Sequence, residues 1–382
     1  MLIGIDETGK KYNLTRFSRE ELKQLQLKQW CCPCCHTPLI LKNGRVMRPH
    51  FAHKNLVACQ AFSENESEEH LLGKQLIEKN CQKFHLPYEV EAYLPKLQQR
   101  PDILIQSNIA IEFQCSTLSI ERLKERTDNY HRHGYQVIWL LGSPLYFKNK
   151  LTTLQKELIN LSHNIGFYFW ELEVKNKKIR NRYFIVNNQG RYYYQKKEWN
   201  LGKYSILDIL QFPDKKTKGF SYIFSTSKQI QSKKEKWRQQ LQRRQKEIMS
   251  VQEYFYQEGL TLPELPLHYL CPSFFSLQIG EQELMIRHVV MKHLLENRRT
   301  TYQEIFQEVK ERLEGTVTLD SCLIEEKRWL AYHLSLYLCC LQQFGVIEKR
   351  ENAYYYMTHQ VDLSQRDQEI LTIPLKYVMI NK

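Results

Sequence analysis

The chain has 382 residues, 42% of them hydrophobic and 12% aromatic, which suits two or three cored domains and excludes intrinsic disorder. Fifty-five Lys and Arg against 42 Asp and Glu leave a net charge of +13. That is the balance of a protein drawn to a polyanion, most often nucleic acid, with plain solubility as the ordinary alternative. No apolar run approaches the ~20 residues of a membrane span, and the N-terminus MLIGIDETGKKYNL lacks a signal peptide's apolar core. A cytoplasmic protein without a membrane span is therefore expected, in which eleven cysteines are not a disulfide framework.

In chain order, residues 1–56 read as a small strand-rich unit. LIGIDE alternates, SREELKQLQ is a short helix with a serine cap, and LILKNGRVM is a hairpin turning on Asn43-Gly44. Residues 57–165 form the next domain. SENESEEHLLGKQLIEKNCQKF has acids in its first turn and apolar residues at helical spacing. PYEVEAYLP, RPDILIQ and NIAIEFQC are three strands, SIERLKERTDNYHRHG is a helix ending at Gly134, and YQVIWLLG is a strand buried on both faces. The order predicts an α/β fold with an α-β-β-β-α-β core. Residues 166–248 are further strands, turning at Asn-Asn and Gln-Gly, and then a solvated basic helix. Residues 249–382 are mostly helical and finish in the strand-like VIEKRENAYYYMT, a faint winged-helix pattern whose wing would touch a nucleic-acid backbone.

Cys31, Cys32, Cys34 and Cys35 fall within five residues, and His50 and His53 follow. The pattern Cys-x2-Cys-x14-His-x2-His offers thiolates from a knuckle and imidazoles from a second turn, the donors of a closed structural Zn²⁺ site. Spacing leaves the phase Cys31 with Cys34 open, and Cys59 is a substitute ligand.

Asp102 and Glu112 lie in adjacent apolar strand-like runs, so a hairpin sets them side by side. Two neighbouring carboxylates repel unless a cation lies between them, and oxygen donors suit Mg²⁺ or Mn²⁺. Gln114 shares the face of Glu112. Such a site suits phosphodiester hydrolysis, with a metal-activated water as nucleophile. Glu66, His70 and Lys74 stand at i, i+4, i+8 on the preceding helix: Glu66 for the metal shell, His70 and Lys74 for phosphate. A solvent-facing salt-bridge stripe is the plainer alternative. Arg126 and Tyr130, at i, i+4 on the next helix, are read as a phosphate ligand and a base-stacking ring, or else as helix packing.

ESEEHLLGK, QRPDILI, IAIEFQCSTLS and ERTDNYHRHGYQVIWLLG together resemble the nuclease-like core of the competence protein CoiA family over residues 25–145. That family is itself similar to the PD-(D/E)xK nuclease superfamily. The resemblance implies a restriction-endonuclease-like fold and DNA processing in natural transformation and recombination. Asp102 matches the first strand acid, Glu112 the second, and Gln114 the position of the usual lysine. Gln114 brings no charge, and losing one such donor costs on the order of 10²–10³ in rate; Lys74 is the candidate replacement. The motif CPxC…HFAH also resembles the family's N-terminal pattern and favours Cys32 and Cys35 as ligands.

From 227 to 248 the sequence carries eight basic residues against two acids. Lys233, Lys234, Arg243 and Arg244 are the candidate phosphate contacts there, giving affinity that falls steeply with salt. The expected function is a Mg²⁺-dependent deoxyribonuclease acting on incoming, single-stranded DNA. The alternative is a silent nuclease-fold scaffold that binds DNA and recruits recombination proteins. An RNA-directed nuclease is a weaker third.

Overall fold

The computed structural model describes residues 1–44, 47–54, 59, 67–188, 190–215, 220–223, 227–272, 275–317, 319, 321–357 and 370–373. Two compact units divide the chain. One comprises Met1–Leu158, Phe169–Arg182 and Lys196–Phe212; the other comprises Ile159–Tyr168, Tyr183–Gln195 and Pro213–Lys382.

The first unit opens with β1 (Ile3–Ile5), β2 (Lys11–Asn13), α1 (Arg19–Leu25), β3 (Trp30–Cys31), β4 (Pro38–Lys42) and β5 (His50–His53). Their antiparallel sheet runs β2-β1-β3-β4-β5. Ser18 caps α1 in a reciprocal box with Glu21, as its sequence predicts. The expected hairpin on Asn43-Gly44 is different. Lys42 pairs with His50, so Asn43-Gly44 is not a two-residue turn joining the strands. Packing sets that register: Phe51 is buried against Trp30, with ring centroids 5.1 Å apart, and its burial outweighs the local turn signal.

α2 (Glu68–Lys83), β6 (Tyr88–Val90), β7 (Ile103–Ile105), β8 (Ile109–Gln114), α3 (Ile120–Arg132) and β9 (Gln136–Leu141) follow. β6, β7 and β8 pair antiparallel, and β9 joins β8 in parallel. Ser67 caps α2 through the His70 amide. The helix lies close on the sheet because Gly73 has no side chain: a Cβ there would stand 2.1 Å from the Phe113 ring. α4 (Thr153–Glu157), β10 (Asn160–Ser162), β11 (Gly166–Glu173), β12 (Lys178–Asn188), β13 (Arg191–Asn200) and α5 (Ile206–Leu210) come next. β11 pairs in parallel with β9, and the sheet order is β13-β12-β11-β9-β8-β7-β6, with β10 on β11. The molecule is thus mixed α/β with several sheets.

In the second unit, β14 (Phe220–Ile223) is followed by α6 (Ser227–Gln242) and α7 (Lys246–Gln257). The expected single helix over 227–248 is broken there, with Arg244 in the left-handed region at φ 49°. Nor is α6 simply solvated, because Ile230, Lys233 and Trp237, at i, i+3, i+7, form a buried stripe. Then come α8 (Glu283–Asn297), β15 (Arg299–Thr301), α9 (Tyr302–Leu313), α10 (Glu326–Gln343), β16 (Ile347–Arg350), β17 (Ala353–Tyr356) and β18 (Ile370–Ile373). β15, β17 and β16 make a three-stranded antiparallel sheet in that order. That helix and strand order is the winged-helix one, but α10 has thirteen consecutive buried residues, Trp329 to Leu341. A helix so enclosed cannot lie in a DNA groove. Among the described residues no helix is long and apolar enough to cross a membrane.

Candidate functional site

Cys32, Cys35, His53 and Cys59 bring their ligand atoms within 4.8 Å of one another, and they are the one such Cys, His or carboxylate cluster among the described residues. Cys35 Sγ lies 3.4 Å from His53 Nε2. The Cys34 thiol and the Cys34 and Cys35 amides point at Cys32 and hold its thiol well below the usual range, toward the thiolate a metal requires. Three sulfurs and one imidazole can hold a metal ion with no position left open. The expected ligand His50 is not in the set; its Nδ1 lies 2.8 Å from the Arg48 carbonyl. The physical reason is strand periodicity. Both histidines lie on β5, where residues three apart point to opposite faces. Cys59 takes the fourth place.

The second cluster sits where α2 and α3 meet β7 and β8. The pairing Ile103–Ile111 sets Asp102 opposite Glu112 on one face of the adjacent strands. Both are buried, at 8% and 3% exposure. Asp102 Oδ2 accepts from the Phe113 amide at 2.8 Å and lies 3.0 Å from His70 Nε2. Lys74 Nζ is 3.7 Å from Asp102 Oδ1 and 2.6 Å from Glu91 Oε1. Glu112 Oε1 receives Arg126 Nη2 at 2.5 Å and the Tyr130 hydroxyl at 2.6 Å. Burial presses both acids toward the neutral form, with opposite outcomes. At Asp102 the charges of His70 and Lys74 and the Phe113 amide outweigh it and hold the carboxyl well below its usual range. At Glu112 burial and the charge of Asp102 prevail over Arg126 and push the carboxyl up. One acid is kept ionised beside one biased toward its proton, the division of labour that acid–base sites use.

The oxygen donors of Asp102, Glu112 and the Gln114 amide fit a hard divalent ion in chemistry. Lys74 and Arg126 already contact the two acids, so an ion would share them. Gln114 directs its amide nitrogen to the Ser116 carbonyl at 2.9 Å.

Several sequence expectations change here. Lys74 is wholly buried and tied to Glu91, so it serves Asp102 rather than an exposed phosphate. Tyr130 has no exposure and cannot stack on a base, so the packing alternative holds for it; its hydroxyl belongs to Glu112. Arg126 faces Glu112, with 16% of its side chain exposed. Glu66 lies outside the described residues. Lys233 is buried with its ammonium 3.5 Å from the Phe275 ring centroid, so it cannot reach phosphate. Lys234 donates to the Leu265 carbonyl, while Arg243 and Arg244 are exposed past the end of α6.

Sequence reasoning missed Glu91. Held at φ 49°, it accepts from the Leu2 and Ile3 amides at 2.8 and 3.1 Å, which joins β1 to Lys74. Arg100, 3.8 Å from Glu91, completes the group. Its signal was an acid in EVEAYLP whose neighbours are apolar.

A nuclease-like domain on this sheet, with a cysteine–histidine cluster able to hold a metal, is the class of protein these two sites define. Residues 66–213 match the family described as Competence protein CoiA, nuclease-like domain, and residues 14–62 match Competence protein CoiA, N-terminal domain. The chain belongs to the CoiA family. A curated relative, Competence protein CoiA of Bacillus subtilis (strain 168), is 29% identical over 126 residues, 32% of this chain. That alignment spans 34% of the relative's length. No solved structure matches.

Proposed function

We propose that the protein is a metal-dependent nuclease that hydrolyses phosphodiesters of incoming DNA during natural transformation and recombination, in the cytoplasm. The observation that carries this is the placing of Asp102 opposite Glu112, with their ionisation pushed in opposite directions, in a nuclease-like domain of a competence family. On this reading residues 57–165 take the restriction-endonuclease-like fold, and a structural Zn²⁺ on Cys32, Cys35 and His53 of the N-terminal unit, residues 1–56, would draw its fourth ligand, Cys59, from just beyond that unit. Asp102 and Glu112 hold Mg²⁺ or Mn²⁺. An ion held there would supply Lewis-acid polarisation of a phosphoryl oxygen and a more acidic water. His70 orients Asp102, Lys74 keeps it ionised, and Gln114 positions a water by hydrogen bonding. Arg126 meets the phosphate when it lets go of Glu112.

The second reading is a DNA-binding scaffold that recruits recombination proteins. It is favoured by the double hold of Arg126 and Tyr130 on one oxygen of Glu112, and by the uncharged Gln114.

Purified protein is incubated with single- and double-stranded DNA and with RNA, in Mg²⁺, Mn²⁺ or EDTA, beside Asp102→Ala/Glu112→Ala. Metal-dependent cleavage that the double variant loses is expected. Salt-sensitive binding with no cleavage under any condition would leave the scaffold.

A further inference from the structure

The charge surplus is local. Residues 166–248 hold 20 Lys and Arg against 7 Asp and Glu, whereas residues 249–382 hold 13 against 18. Part of it gathers at one place in the first unit, the turn between β13 and α5. Asn80, 3% exposed in the last turn of α2, holds that turn: its Nδ2 donates to the Leu201 and Tyr204 carbonyls at 2.6 and 2.9 Å, and its Oδ1 accepts from the Ile206 amide. On one side Lys83 Nζ donates to the Gly202 carbonyl at 2.6 Å. On the other, the Leu201 amide donates to the Lys177 carbonyl at 2.9 Å, drawing in the turn between β11 and β12.

Lys79, Lys83, Lys175, Lys177 and Lys203 are therefore exposed around one braced turn. Among the described residues no carboxylate lies within ion-pair distance of any of the five. The neighbouring Lys178 and Lys196 differ, since both pair with Glu198, at 3.2 and 3.1 Å. Tyr204, next to Lys203 in the same turn, is half exposed. The outer face of α3 shows what an ordinary solvated surface looks like here: its charges alternate and pair, as in Arg122–Glu125 at 2.7 Å and Arg132–Asp128 at 3.8 Å.

We infer that this surface anchors a single nucleic-acid strand, apart from the carboxylate site; the inference rests on the reading of nucleic acid as substrate. Ammonium groups without carboxylate partners bind phosphates with release of counterions, and an exposed ring among them stacks on a base. Solubility alone needs no buried asparagine spending three hydrogen bonds to fix the turn. Thirteen residues of helix separate His70 from Lys83, about 20 Å at the helical rise, so a strand that reaches both must be long.

The test uses the full chain and fluorescently labelled single-stranded DNA, long and short, with binding followed by anisotropy across a salt series. Lys83→Gln/Lys177→Gln/Lys203→Gln should weaken binding of the long strand about tenfold or more at low salt. It should also make the log–log salt slope shallower by about 2, near 0.7 for each phosphate no longer neutralised. Tyr204→Ala should weaken binding with the slope unchanged. Lys178→Gln/Lys196→Gln, which removes the paired lysines, should change little. These exposed, neutral substitutions keep the fold, and circular dichroism verifies it. Wild-type-like affinity and slope in the triple variant overturn the anchor, as does an equal effect from the paired lysines. A wild-type protein that binds no single-stranded nucleic acid at any salt removes the functional reading as well.

Discussion

Charge is buried in both units, and the two cases are built differently. In the second unit Glu283, fully enclosed on α8, meets Arg287 one turn later at 2.6 and 3.0 Å and accepts from the Ser276 amide. Arg287 spends its remaining donors on the Tyr269 and Pro272 carbonyls, and His333 Nδ1 lies 3.3 Å from Glu283. Every side chain here is under 5% exposed, so this group is a strut. In the first unit His70, Asp102 and Arg126 keep 16%, 12% and 16% of their side chains open to solvent. Its two carboxylates, Asp102 and Glu112, are pushed in opposite directions, whereas the strut holds one carboxylate, drawn down. Buried charge alone does not mark a site. Access, and acids whose proton affinities diverge, separate a candidate site from a brace.

The largest expected effect tests the strut. Glu283→Ala leaves the Arg287 guanidinium buried without a counter-ion and should cost the second unit about 3–5 kcal/mol in chemical denaturation. Glu112→Gln should cost only about 1–2 kcal/mol, because Arg126 can turn to water, while abolishing metal-dependent activity. Equal destabilisation by both would erase the distinction drawn between them.

Next in size is the metal cluster. Cys59→Ser should lower the metal content of the purified protein and the stability of the N-terminal sheet, whereas His50→Ala should leave both unchanged. Metal lost in His50→Ala and kept in Cys59→Ser would restore the ligand set that spacing suggests.

The strut also predicts acid sensitivity. Despite its burial, Glu283 is drawn down from 4.5 to about 2 by Arg287 and His333. A carboxylate with a depressed folded pKa contributes stability that is complete above its unfolded value and is lost as pH falls through the folded one. The contribution is about 3 kcal/mol, at 1.36 kcal/mol for each unit, and it should fade between about pH 4.5 and 2. Glu283→Gln should flatten that part of the stability curve. A wild-type curve already flat there would mean that the strut carries no net charge stabilisation.

What was legible in the sequence is local or periodic. The helix cap at Ser18, the apolar run of β9 and the pairing of Asp102 with Glu112 across a short turn depend on residues close in sequence. Family motifs added the CoiA resemblance, and the clustered cysteines pointed to a candidate metal site before any fold was known.

Tertiary structure alone decided which partners each side chain takes. His50 and His53 look equivalent in spacing, but the alternation of a strand sends them to opposite faces, and Cys59 supplies the missing donor from beyond the strand. Tyr130 and Lys233 read as surface contacts until packing buries them. Lys74, Glu91 and Arg100 come together only when β1, α2 and β6 meet, since a buried charge finds its counter-ion in space and leaves no fixed interval in the chain.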